Sequence, residues 1–273
     1  MNAIRSILVH ADAGPRCAAR LQFARELGGR LGAAVTALYA VTPVYVEMAL
    51  DMAAGAVGDA LLAIDEERLA TARKTVAAAN AGPGLQIAWQ EAREAPEYTF
   101  VRQALYADLL VLGQHDREQR DAGVPGDFVP SVLVASGRPA LVMPYIGAPS
   151  PSLDVVFVAW KETPQAAHAL TAALPLLHGA RAVHIGVDAD LPVESKTALR
   201  NLLQRHGIVD AELHTLVAAA AQAGELMLSM AADVSADLMV MGCYGHSRSR
   251  ELVLGGASRS VLDSMTLPVL MAH

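Results

Sequence analysis

The sequence predicts an α/β protein built as two tandem doubly wound domains, each a five-stranded parallel sheet flanked by helices. Three observations carry this. Short, continuous apolar runs rich in β-formers alternate with segments of helical periodicity, the pattern of a parallel sheet covered on both faces. The alternation occurs twice. The second half also repeats the first in register: "ADLLVLG" at 107–113 matches "ADLMVMG" at 236–242, "SVL" at 131–133 matches 260–262, and "PALVM" at 139–143 matches "PVLMA" at 268–272, all at an offset of 129. Gly126 falls on Gly255 at the same offset.

Taken in order, the first copy places strands near 4–11, 34–41, 85–90, 108–113 and 140–144. Cys17, Leu21, Ala24, Leu27 and Leu31 recur at three and four, one face of a helix that starts near Pro15. The second copy places strands near 154–160, 181–187, 211–216, 237–242 and 268–272. Ala166, Leu170, Ala173 and Leu177 mark its first helix, and Leu199, Leu202 and Leu203 its second. "ILVHAD" at 7–12 resembles "VFVAWK" at 156–161 at an offset of 149, so the first copy carries about 20 extra residues, placed mostly after "TALYAV". The joint "YIGAPSPS" at 145–152 is rich in Gly, Pro and Ser, which sets the domains at 1–147 and 153–273.

Composition narrows the function. Of the 273 residues 53% are hydrophobic, which excludes a disordered chain. The net charge of −7, with both signs mixed along the chain, argues against a nucleic-acid binder. No stretch offers about 18 uncharged apolar residues, so no membrane span is expected. The N-terminus lacks the form of a signal peptide. Cys17 and Cys243 lie far apart and read as reduced thiols of a cytoplasmic protein.

Chemistry concentrates after the fourth strand of the second copy, in "MGCYGHSRSRELVLGGASRS" at 241–260. In doubly wound sheets ligands bind beyond the carboxyl ends of the strands, where strand order reverses. Gly242 and Gly245 let backbone approach a ligand there, and Gly255 and Gly256 open the last helix. The free N–H groups of that helix end, with the Ser258 hydroxyl, suit an anion. Arg248, Arg250 and Arg259 could add charge or could simply be solvated. The histidines His115, His184, His206, His214, His246 and His273 are scattered without helical i, i+4 pairs, which argues against a metal site. Cys243 and Tyr244 could be exposed in the loop, and Cys243 somewhat reactive. No nucleophile elbow, Walker lysine or catalytic carboxylate pair is present, so the chain does not read as an efficient ATPase.

The spacing G-x2-G-x9-G between a strand and a helix, the closing "PVLM" strand and the opening "ILVHAD" resemble the universal stress protein family. The resemblance spans nearly the whole chain as two tandem members. It implies a fold of five parallel strands related to adenine-nucleotide alpha-hydrolase-like folds, and ATP binding in those members that carry the motif. Carried over by position, Gly242, Gly245 and Gly255 would wrap phosphates and ribose, and Ile185, at the end of the second strand, would meet the adenine. The Ser or Thr that follows the last glycine in the family is Gly256 here; Ser258 is the hydroxyl that could replace it.

The copies split the motif between them. The first keeps the acidic Asp12 at its first strand end, but its loop reads Gly113-Gln114-His115-Asp116 and ends Gly126-Asp127. Two carboxylates facing a phosphate oppose binding by several kcal/mol at an effective dielectric near 20. The second keeps the glycines but has Lys161 in place of the acid. Lys161 is either a solvated lysine or a phosphate contact. The expectation is one ATP-like site per chain, in the second domain, in a cytoplasmic stress-response regulatory or signalling protein. A Mg2+ requirement is left open. The alternatives are a ligand-free interaction or dimerisation module and a slow ATP hydrolase. The expected partners are a nucleotide, a protein of unknown identity and a second copy in a homodimer. Within one chain, the copies are expected to meet through their last strands.

Overall fold

The computed structural model describes residues 3–44, 56–92, 96–116, 123–147, 149–217, 222–244 and 256–273. The chain divides into two compact units, Ile4–Arg138 and Pro139–His273. The first contains β1 (Ser6–Ala11), α1 (Cys17–Leu31), β2 (Ala34–Ala40), α2 (Ala56–Ala79), β3 (Ile87–Ala92), α3 (Pro96–Ala104), β4 (Leu109–Gly113) and α4 (Phe128–Ser136). The second contains β5 (Ala140–Met143), β6 (Val155–Trp160), α5 (Pro164–Leu177), β7 (Ala182–Asp188), α6 (Val193–Arg205), β8 (Glu212–Leu216), α7 (Ala223–Asp233), β9 (Leu238–Gly242), α8 (Gly256–Ser264) and β10 (Val269–Ala272). Each predicted strand has its counterpart, within about two residues at either end.

In the first unit β1 lies between β2 and β4, and β2 pairs onward with β3, all parallel. The second unit repeats this plan. β6 lies between β7 and β9, and β7 pairs onward with β8, again parallel. β10 pairs parallel with β9, then antiparallel with β5 through Val269–Val142, Leu270–Leu141 and Met271–Ala140. β5 therefore belongs by sequence to the first repeat and by packing to the second unit. The chain runs outward from its first strand and returns to that strand's other side. The order thus reverses between β1 and β4, and between β6 and β9. Those two points are where the fold leaves a crevice.

The central strands have no polar face. Leu109–Leu112 and Leu238–Met241 are buried throughout, as is Ile7–Ala11. α1 buries Cys17, Leu21, Ala24 and Leu27, four of its five predicted apolar positions. α5 buries all four of its predicted positions. It is started by Thr163, whose hydroxyl oxygen accepts from the Ala166 N–H at 3.2 Å, with Pro164 in the first turn.

One side chain per unit locks the strands of the reversal at their amino ends. The Asp108 carboxylate accepts from the N–H groups of Arg5 and Ser6 at 2.9 Å each and from the Ser6 hydroxyl at 2.8 Å. The Asp237 carboxylate accepts from Asp154 and Val155 N–H, both at 3.0 Å. These are the aspartates of the repeated "ADL". Burial would raise the Asp108 carboxyl, but the donors from Arg5 and Ser6 and the charge of Arg138 outweigh it and hold it below its ordinary value. Replacing Asp108 or Asp237 by Ala should each cost about 1–2 kcal/mol in urea unfolding, the loss of charge-assisted bonds at a partly exposed site. For Asp108 this contribution is present above the ordinary carboxyl pKa. It is lost as pH falls through the lowered folded value.

Candidate functional site

The two reversal points share a backbone and differ in what fills them. In the first unit the crevice is occupied by the protein's own side chains. Asp12, just past β1, is buried, and its carboxylate takes a 2.6 Å bond from Arg20 Nη2 and a 2.7 Å bond from the Gly14 N–H. Arg20 is itself 4% exposed and donates through Nε to the His10 carbonyl at 2.8 Å. A Cβ on Gly113, at the end of β4, would stand 2.4 Å from Arg20 Nη1. Glycine there makes room for the guanidinium. His10 packs on Phe128 and Phe100, ring centroids 4.4 and 5.7 Å away, and holds the Ala40 carbonyl at 2.7 Å through Nε2.

The electrostatics of this cluster follow from burial. Desolvation opposes the Asp12 charge, but Arg20, His10 and the Gly14 N–H outweigh it and keep the carboxyl below its ordinary range. Desolvation lowers His10 from 6.5 to about 4, with nearby Arg20 adding to it against the pull of Asp12. Burial pushes the Cys17 thiol up, so Cys17 is an inert core residue.

In the second unit the ends of β6 and β9 carry the predicted residues. Gly242 ends β9, and a Cβ on it would meet Ala166 N at 2.5 Å and Gln165 C at 2.6 Å. The amino end of α5 thus presses against the strand end. Two residues on, Tyr244 takes a left-handed φ of 55°. Its N–H donates to the buried Ser258 hydroxyl at 3.3 Å. Gly256, the first residue of α8, has open space where a Cβ would stand. Lys161 follows β6, exposed and without an ion pair to any described residue. Gly245, His246, Arg248, Arg250 and Gly255 lie outside the described residues. Arg259, on α8, is exposed and reaches Asp263 at 3.7 Å.

Two expectations need correction. Ile185 is not at a strand end: β7 continues through Gly186 and Val187 to Asp188, and Ile185 pairs with Val158 and Leu213 in mid-sheet, fully buried. Gly186 permits the continuation, since a Cβ on it would stand 2.7 Å from both Phe157 and Leu216 side chains. Cys243 is not an exposed reactive thiol. It is 1% exposed, and burial pushes its thiol up to about 12.

Sequence reasoning also missed three features. Among the described residues four buried side-chain atoms have no hydrogen-bond partner. Three of them, Trp160 Nε1, Gln165 Oε1 and the Tyr244 hydroxyl, belong to the end of β6, the first turn of α5 and the residue pair after β9. Those elements bracket the reversal point of the second unit. The fourth is Arg68 Nη1 on α2. Second, Arg20 sits inside the apolar stripe of α1; a charge on that face needs a buried acid, and Asp12 is eight residues away. Third, His184, Glu212 and His214 meet on adjacent strands β7 and β8.

A family model identifies the family, and solved structures share the fold. The family model described as "Universal stress protein family" matches residues 3–143 and 152–273. No curated protein matches the chain. Among solved structures, a universal stress protein from Archaeoglobus fulgidus DSM 4304 is 16% identical with a TM-score of 0.72, covering 98% of this chain and 95% of its own. A putative universal stress protein from Pseudomonas aeruginosa UCBPP-PA14 is 16% identical with a TM-score of 0.60, covering 99% and 93%. The cytoplasmic domain of a prokaryotic cation chloride cotransporter shares the fold at 10% identity and a TM-score of 0.52, covering 99% and 95%. No helix among the described residues is long and apolar enough to cross a membrane.

Two measurements test the filled crevice. Arg20→Met leaves Asp12 buried without its cation and should cost about 3–5 kcal/mol, much of it recovered in Arg20→Met/Asp12→Asn. The His10 value of about 4 lies below the unfolded 6.5, so between them the unfolded chain binds more protons. Stability should therefore fall as pH drops from 6.5 to 4, by up to about 3 kcal/mol from this group. His10→Gln should flatten that part of the curve.

Proposed function

The chain belongs to the universal stress protein family, and from that premise we propose that it is a stress-response regulatory protein whose second unit binds one ATP-like adenine nucleotide. The observation that carries this reading is the set of unpartnered polar atoms on Trp160, Gln165 and Tyr244. Each such group left buried costs about 1–3 kcal/mol. A polar ligand at the reversal point would satisfy two donors and an acceptor, as a phosphorylated nucleoside can. Beside them stand Gly242 and the amino end of α8 at Gly256, a favourable setting for negative charge.

In this reading Gly242 and Gly245 keep the backbone low beside the phosphates, and Gly255 and Gly256 open the helix end toward them. Ser258 contributes its hydroxyl and Lys161 a mobile positive charge. Ile185 supports the strand beneath and does not touch the ligand. The first unit binds no triphosphate, because Arg20 neutralises Asp12 and fills the space over Gly113. The nucleotide acts by population shift: it stabilises the conformation it binds better and so alters affinity for a protein partner. In this reading turnover is slow or absent.

A second reading, a ligand-free interaction module, is favoured by Gly242. The close approach of α5 requires glycine there whether or not a nucleotide binds. Equilibrium dialysis of labelled ATP separates the two. The proposal expects about one ATP per chain, lost in Gly245→Asp, without Mg2+-dependent phosphate release. It also expects a split effect in Tyr244→Phe: the free protein is no less stable, while stabilisation by ATP, about 2.7 kcal/mol at a hundredfold excess over Kd, is reduced. No binding at millimolar ATP would favour the interaction module.

A further inference from the structure

The parallel pairing of β7 with β8 sets His184 opposite Glu212 and Gly186 opposite His214. Side chains two apart on a strand share a face, so all three polar side chains gather on one side of β8, the outermost strand of its unit. His184 Nδ1 lies 3.0 Å from His214 Nε2 and 3.3 Å from a Glu212 carboxylate oxygen, and His214 Nε2 lies 3.9 Å from that same oxygen. The two imidazoles are partly buried, with side chains 15% and 27% exposed, while Glu212 is 69% exposed. The cluster sits in the amino-terminal part of β7 and β8, away from the carboxyl-edge crevice of the nucleotide reading.

We propose that His184, Glu212 and His214 form a binding site for a divalent transition-metal ion of the Zn2+ class. The spacing supports this. Ligands held about 2.0–2.1 Å from a tetrahedral ion stand about 3.4 Å from one another. The three contacts of 3.0, 3.3 and 3.9 Å straddle that value, so an ion enters with small side-chain adjustments. A hydrogen-bonded arrangement serves the group less well. One imidazole N–H shared between two nitrogens and a carboxylate makes one good bond, whereas a cation satisfies all three lone pairs.

Donor chemistry narrows the ion. Two imidazoles and one carboxylate suit Zn2+ and its neighbours in the first transition row better than Mg2+ or Ca2+, which take oxygen ligands. On binding, His184 coordinates through Nδ1 and carries its proton on Nε2; His214 coordinates through Nε2 and carries its proton on Nδ1. The fourth position is left to water on the side of exposed Glu212. The ion would clasp the outermost strand to its neighbour.

The test uses full-length protein freed of metal with a chelator. Calorimetric titration with Zn2+ should give one site per chain, and Co2+ should produce the visible absorption of a four-coordinate site with nitrogen ligands. Glu212→Gln, at an exposed position, should weaken binding by about tenfold or more. His184→Asn/His214→Asn should abolish both the stoichiometric site and the Co2+ spectrum, with far-UV circular dichroism checking that the variant folds. Should the double variant fail to fold, Glu212→Gln and the wild-type Co2+ spectrum decide. Absence of Zn2+ binding at micromolar concentration, or one site per chain retained unchanged in the variants, would overturn the proposal.

Discussion

Everything in this fold hangs on the pairing of each repeat's first strand with its fourth. That pairing reverses the strand order and opens the crevice. A single carboxylate, Asp108 in one unit and Asp237 in the other, fixes it by gathering the backbone N–H groups that lead into the first strand. The amino edge is thereby the conserved-in-duplicate part of the design, the same chemistry written twice. The carboxyl edge of those strands is free to differ. The proposed recognition in the second unit lies at the opposite end of those strands from this anchor.

The two units use that freedom in opposite ways. In the first, the crevice is closed by an internal ion pair whose desolvation is offset by close geometry and by bonds to the backbone at His10 and Gly14. Gly113 serves a guanidinium. In the second, Gly242 at the matching position serves a helix end, and the polar atoms of Trp160, Gln165 and Tyr244 have no partner among the described residues. One unit has made its crevice part of the core. The other holds unsatisfied hydrogen-bonding capacity at the corresponding place, which is the physical basis for reading only one of them as a ligand site.

Much of this was legible in the sequence because it is periodic. All ten strands follow from apolar runs, and the duplication follows from the 129-residue register of the two "ADL" segments. The glycines after β9 were legible as a motif, although Gly245 and Gly255 fall outside the described residues. What escaped depends on contacts between distant residues. His184 and His214 are 30 residues apart and meet only through strand register. A search for helical spacing cannot find them. Arg20 was hidden by its charge, since an apolar pattern passes over a buried cation even when it lies on the right face. Ile185 was misplaced because the adenine contact was carried over by family position, although the strand read from the sequence, 181–187, already ran past it.

The antiparallel pair of β5 with β10 has a consequence for the chain as a whole. β10 is apolar and buried along its length, and β5 covers its outer edge. Produced alone, the second repeat would present Val269–Ala272 as a bare strand edge, the kind of surface on which chains add to one another without limit. Because β5 precedes the repeat on the same polypeptide, its capping of that edge is intramolecular and does not depend on protein concentration. The fusion of the two copies thus acts as a built-in guard against pairing of that edge with another chain.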